Sequence, residues 1–240
     1  MISPARQHFQ RVTAAKAAGG ATPGQPQNGP QYELMMAALY DARRALKQIK
    51  STEGKIAKKS ELLPQFDSYV EGVLEAGNGA QDEVLTTVLI WRFDIGDLAG
   101  ALDIAGYALE HKLDMPDRFE RDLESIVAEQ LAEEVLAQLG KLDDDADQAE
   151  RQALGTHLAS LMVRARELLD GADMHDQISA KFHKAYGYAL RDADCPSAAI
   201  EQLKRALELN DRAGVKRDIE TLERQIKKNA SNQSSPQGHG

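Results

Sequence analysis

The amino-acid sequence predicts an all-α protein, and three observations carry that expectation. Apolar residues recur at spacings of three and four, no segment alternates with the two-residue period of a strand, and glycine and aspartate turns separate the periodic stretches. The chain of 240 residues is long enough for one large or two small domains. Its composition, 42% hydrophobic and 28% charged, is that of an ordinary globular protein.

The elements follow in order. Residues 4–17 make at most a short helix carrying Arg6, Arg11 and Lys16. A helix of that length is marginal in water without packing, so it is expected to order only on DNA or a partner. Residues 18–30 (AGGATPGQPQNGP) lack apolar periodicity and read as a linker. From Gln31 to about Lys50, Met35, Leu39, Ala42, Leu46 and Ile49 mark one helical face, while Arg43, Lys47 and Lys50 recur on another. Such a basic stripe can track a phosphate backbone, and it is equally the pattern of a solvated face.

Residues 61–76 read as a helix stopped by Gly77, Asn78 and Gly79. Helices at 82–93 and 98–112 flank a turn at 94–97. Longer amphipathic helices at 117–139 and 146–169 flank an acidic stretch, and helices at 174–191, 196–210 and 215–228 complete the series. Pro196 suits a first helical turn, where its missing N–H costs nothing. The polar, low-complexity residues 229–240 are expected to be disordered. The organisation expected is therefore a basic arm and linker (1–30), a basic helical DNA-binding segment (31–60), a helical body (61–228) and a tail (229–240).

Charge is unevenly divided. Residues 1–60 hold ten basic side chains (Arg6, Arg11, Lys16, Arg43, Arg44, Lys47, Lys50, Lys55, Lys58 and Lys59) against Glu33, Asp41 and Glu53. They carry a net +7, which leaves −16 for the rest of a chain whose total is −9. A basic end on an acidic body neutralises phosphates at one end only, and these ten residues are the candidate DNA contacts.

An internal repeat appears at an offset of 98. FDIGDLAGALDIAGYALEHK and RDADCPSAAIEQLKRALELN share Asp94/Asp192, Ala101/Ala199, Ala108/Ala206, Leu109/Leu207 and Glu110/Glu208. The second copy places Gly187, Ala199, Leu203 and Ala206 as a tetratricopeptide hairpin does, with small residues where two helices approach. His183 stands where a tryptophan is usual and Asp211 where the closing proline falls, so the hairpins are tetratricopeptide-like. Stacked repeats need about three units for stability, so two copies separated by long helices imply a composite helical domain with a binding surface more than a true solenoid.

Little in the sequence points to chemistry. No run of 18 apolar residues spans a bilayer, the N-terminus lacks the apolar stretch of a secretory signal, and the glycine-rich segment lacks the Walker lysine. The single cysteine, Cys195, excludes an intrachain disulfide, and the six histidines show no ligand spacing. The dense carboxylates Asp143, Asp144, Asp145 and Asp147, with Glu150, are weak candidates for a two-metal nuclease centre. An acidic run before a helix is better explained as helix-start chemistry. No metal site and no cofactor are expected in this chain.

Five stretches taken together carry a resemblance. They are the opening SPARQHFQR with the glycine- and proline-rich linker after it, ELMMAALYDARRALKQIKSTEGKIAKKSELLPQF, VLIWRFDIGDLAGALDIAGYAL and LKRALELNDRAGVKRDIETLERQIKK. In this order, over nearly the whole chain, they resemble the small terminase subunit of temperate contractile-tailed bacteriophages, often called the terminase endonuclease subunit. None is a catalytic motif, and the specificity lies in order and extent. The resemblance implies a protein that binds the cohesive-end packaging site of double-stranded viral DNA. It implies action with an ATPase large subunit in cutting and packaging the genome into procapsids, in the cytoplasm of the infected host. A homo-oligomeric ring, no membrane, and Mg in the terminase holoenzyme belong to the same expectation, with the cutting residues on the large subunit. Two readings of other classes stay open: a tetratricopeptide-like adaptor whose acidic surface binds a basic peptide, and a self-sufficient nuclease using the acidic cluster.

Overall fold

The computed structural model describes residues 3–115, 121–142 and 147–233. Among the described residues it is all-helical, with eleven α-helices, and it divides into two compact units, residues 1–124 and 125–240. This division lies well inside the stretch 61–228 that the sequence suggested as one body.

The first unit holds α1 (Pro4–Gly19), α2 (Pro30–Lys47), α3 (Thr52–Leu62), α4 (Asp67–Ala76), α5 (Glu83–Asp94) and α6 (Leu98–Glu110). Its centre is α5, apolar on every side and buried from Val84 to Trp91 and again at Phe93. A helix without a polar face has to be surrounded, and α2, α3 and α6 pack around it. Asp82 caps its start, accepting from the Leu85 N–H at 2.9 Å, and Tyr69 of α4 donates to the same buried carboxylate at 2.5 Å. Burial pushes the Asp82 carboxyl up to about 6, although hydrogen bonds from Tyr69 and the Leu85 and Val84 N–H groups pull the other way.

The N-terminal helix departs from expectation. Rather than a free arm, α1 lies along α4 with Gln10, Ala14 and Ala18 buried, Ala14 completely. The fit depends on small residues: a Cβ on Gly72 would stand 2.4 Å from the Arg11 carbonyl and 2.8 Å from the Ala15 nitrogen. Ser3 caps α1. Marginal helices are ordered by such packing, and periodicity in a stretch with only Phe9, Val12 and alanines gave little sign of it. The segment read as a linker is also tied down. Gly24 donates to the Gly79 carbonyl, and Gln25 and Gln27 exchange backbone hydrogen bonds with Gln81, each at 2.8 Å.

Two helix limits also differ. α2 ends at Lys47, and Ser51 opens α3 by accepting from the Gly54 N–H, so Lys50 sits in the intervening turn and drops out of the basic helical stripe. The expected helix over 61–76 is broken at 63–65 by a 3-10 turn containing Pro64, which has no N–H to continue an α-helical ladder.

The second unit contains α7 (Leu123–Gly140), α8 (Gln148–Leu168), α9 (Asp176–Asp192), α10 (Pro196–Leu209) and α11 (Lys216–Gln233). Lys181 of α9 bridges Glu129 and Glu133 of α7 at 3.0 and 2.8 Å. Gly155 lets α8 approach the end of α9, where a Cβ would meet the Asp192 and Ala193 backbone at 2.5 Å. α9 and α10 pack closely because Gly187 faces Leu203, and Ile219 and Leu222 of α11 cover α10. α11 runs on through residues expected to be disordered as far as Gln233; residues 234–240 lie outside the described residues.

The repeat is reproduced in geometry, one copy per unit. α5 and α9 end at Asp94 and Asp192, and α6 and α10 begin at Leu98 and Pro196. Between them Asp97 N–H reaches the Arg92 carbonyl at 2.9 Å and Cys195 N–H reaches Leu190 at 2.9 Å. Gly96 and Asp194 donate to Phe93 and Arg191 at 3.0 and 3.1 Å, from left-handed backbone in both cases. Such a bond pair terminates a helix by satisfying its last carbonyls.

Candidate nucleic-acid interface

Within the first unit, α2, α3 and α5 enclose an open cleft of about 600 Å³. α2 supplies Tyr40, Arg43, Arg44, Leu46 and Lys47, α3 supplies Lys55 and Lys59, and α5 supplies Ile90, Trp91 and Asp94. Spacing explains the α2 set: Tyr40, Arg43, Arg44 and Lys47 stand at i, i+3, i+4 and i+7, one flank of the helix beside the buried line of Leu39, Ala42 and Leu46. α3 has no fully buried residue, and its Lys55 and Lys59 turn inward while Thr52, Glu53 and Ile56 face outward.

The five cations fall into two kinds. Arg43 donates to Glu83 at 2.6 Å and to Thr87 at 2.8 Å, and Lys59 pairs with Asp94, so these two pin α2 and α3 to α5. Arg44, Lys47 and Lys55 make no ion pair among the described residues and leave the cleft positively charged. The floor is apolar, formed by Leu46, Ile90 and Trp91, with Trp91 set edge-on to Phe66 at 6.2 Å. Tyr40 stands at the rim, 68% exposed.

The other candidate DNA contacts lie elsewhere. Arg6 and Lys16 are exposed on α1, and Arg11 reaches Glu75 of α4 at 3.9 Å. Lys50 is exposed in the turn after α2, and Lys58 pairs with Glu61 at 2.7 Å on α3. Tyr40, Ile90 and Trp91 were not singled out by the sequence. Tyr40 carried a usable signal, one turn before Arg44, whereas Ile90 and Trp91 meet the cations only through the tertiary fold. Of the weak catalytic candidates, Asp147 caps α8 by accepting from the Ala149 N–H at 3.4 Å, and Asp143, Asp144 and Asp145 lie outside the described residues. No cluster of three His, Cys, Asp or Glu side chains suited to a metal occurs among the described residues.

Comparison with known proteins places this chain in a family. The model of the phage small terminase subunit matches residues 36–177, more than half of the chain, including α3, α5 and most of α2. The chain belongs to the phage small terminase subunit family. It is 42% identical over 228 residues to the terminase endonuclease subunit of Escherichia phage P2, covering 95% of this chain and 87% of that one. It is 25% identical over 207 residues to a probable terminase endonuclease subunit of Haemophilus phage HP1, covering 80% and 69%. No solved structure matches. For this small terminase subunit no helix of the described residues is long and apolar enough to cross a membrane.

Proposed function

We propose that this small terminase subunit binds the cohesive-end packaging site of viral DNA and presents it to an ATPase large subunit, which cuts the DNA and drives it into procapsids. The observation that carries the reading is the cleft of α2, α3 and α5. In a chain of this family, three cations without an ion pair among the described residues face one concavity in the part of the sequence with net positive charge. Phosphate contacts of this kind fix a protein on DNA without reading its sequence. Asp147 acting as a helix cap supports leaving the cutting residues to the large subunit, with Mg in the holoenzyme rather than in this chain.

The paired helices α5–α6 and α9–α10 are read as tetratricopeptide-like hairpins, and the second unit as the surface that meets the large subunit or neighbouring copies in a ring. The site of action is the cytoplasm of the infected host. The test is reconstitution. The purified chain alone should leave cohesive-end DNA uncut with Mg, and cutting should appear when the large subunit is added. Cutting by this chain alone, lost on changing Asp143, Asp144, Asp145 and Asp147 to asparagine, would overturn the division of labour.

A further inference from the structure

The cleft is built for more than a phosphate. Arg44 and Lys47 come from one wall and Lys55 from the facing wall, while the floor between them is Leu46, Ile90 and Trp91. The one carboxylate that lines it, Asp94, is held by Lys59, and Arg43 is taken up by Glu83. The open volume of about 600 Å³ lies within the range of sites that engulf a small ligand. Tyr40 stands exposed at the rim on the same flank as Arg44.

A blunt duplex does not match this combination. It presents phosphates on a convex cylinder and keeps its bases stacked inside, so it would touch the cations and leave the exposed Tyr40 ring without a partner, above a floor whose Leu46, Ile90 and Trp91 are themselves nearly buried. A single strand offers backbone charge and an open base face together, and sites that bind one join a basic groove with an aromatic platform.

We propose that the cleft of α2, α3 and α5 receives an unpaired nucleotide of single-stranded DNA, with its phosphates on Arg44, Lys47 and Lys55 and its base against Tyr40 over the Ile90 and Trp91 floor. The inference rests on the DNA-binding reading above: the duplex meets the cations along the cleft edge, and the concavity between them takes a nucleotide opened or overhanging from it. The preference needs no sequence readout, because every base has a π-face.

The chain has a single tryptophan, Trp91, buried just beneath the cleft at 4% exposure, so its fluorescence reports on what is seated over it. The experiment titrates the full-length protein with a single-stranded oligonucleotide and with the blunt duplex of the same sequence. The single strand should change Trp91 emission and the duplex should not. Tyr40→Ala should weaken single-strand binding roughly tenfold, the scale of one lost base stack, with duplex affinity unchanged. Tyr40→Phe should retain the binding, because the ring is kept, and the triple change of Arg44, Lys47 and Lys55 to alanine should abolish the Trp91 response. A silent Trp91 at saturating single strand, or equal losses on both DNA forms in Tyr40→Ala, overturns the inference while leaving duplex binding in place. Absence of binding to either form removes the DNA-binding reading itself.

Discussion

Gly96 and Asp194 hold the same left-handed turn in two different units, at φ +79° and +58°, each closing one helix so that the next can fold back on it. Glycine takes this conformation freely and aspartate is among the few other residues that tolerate it, whereas a β-branched side chain is a true outlier there. Gly96→Asp should therefore cost less than about 1 kcal/mol, and Gly96→Val about 2 kcal/mol or more. Equal thermal unfolding midpoints for the two variants would contradict the equivalence of the turns.

Packing of α1 on α4 makes a second prediction. Gly72→Leu would drive a side chain into the Arg11 carbonyl and the Ala15 nitrogen, both backbone atoms that cannot step aside. The variant should lose about 1–3 kcal/mol, the usual range for overpacking. It should also expose α1 to proteolysis between Gly20 and Asn28. A fragment beginning at Gln31 should unfold at a lower temperature than the whole chain, and an unchanged midpoint would show that α1 contributes nothing to the fold.

What the sequence disclosed follows from what periodicity can encode. The helices of the second half were legible because each keeps an apolar face of its own, as in Ile178, Phe182, Ala185 and Ala189 of α9. α1 was not, because its contact rests on Ala14, Ala18 and the missing side chain of Gly72, which register as composition rather than as a hydrophobic stripe. For the cleft, local charge pointed to Arg44, Lys47 and Lys55 but also to Arg43 and Lys59, which differ only in the partners α5 brings to them. Ion pairing across helices that are far apart in sequence cannot be read from either helix alone.

Asp82 gives a pH dependence whose sign is fixed by its shift. The carboxyl titrates near 3.8 when free and near 6 in the fold, so between those values the folded chain holds the proton more tightly than the unfolded one. Stability contributed by this group is present at low pH and falls as pH rises from about 4 to about 6, leaving above that a penalty of about 3 kcal/mol. Asp82→Asn keeps an oxygen to accept from the Leu85 N–H, turns its amide N–H to the Tyr69 hydroxyl oxygen, which then accepts, and never ionises. It should be more stable than the parent at pH 7, with the advantage shrinking as pH drops toward 4. Denaturant unfolding of both proteins across that range checks the claim, and a difference independent of pH would contradict it.

The pinned and unpinned cations should also separate by assay. Replacing Arg43 by methionine leaves Glu83 and Thr87 without their partner and should lower stability by about 1 kcal/mol, discounted for the partial exposure of the pair. Replacing Arg44 should leave the unfolding midpoint within about 0.5 kcal/mol of the parent, as for other exposed surface changes. The reverse ranking would mean that the ion pair does not hold α2 on α5.

The central claim, that DNA is gripped by Arg44, Lys47 and Lys55 of the cleft, is tested most directly by the salt dependence of DNA affinity. Each phosphate neutralised contributes about −0.7 to −0.9 to the slope of log affinity against log salt, depending on whether the DNA is single- or double-stranded. Changing Arg44, Lys47 and Lys55 together to alanine should therefore flatten the slope by about 2 for single-stranded DNA, with helical circular dichroism unchanged. A slope identical to that of the parent protein, in a variant that remains folded, would contradict the assignment of the cleft as the DNA site.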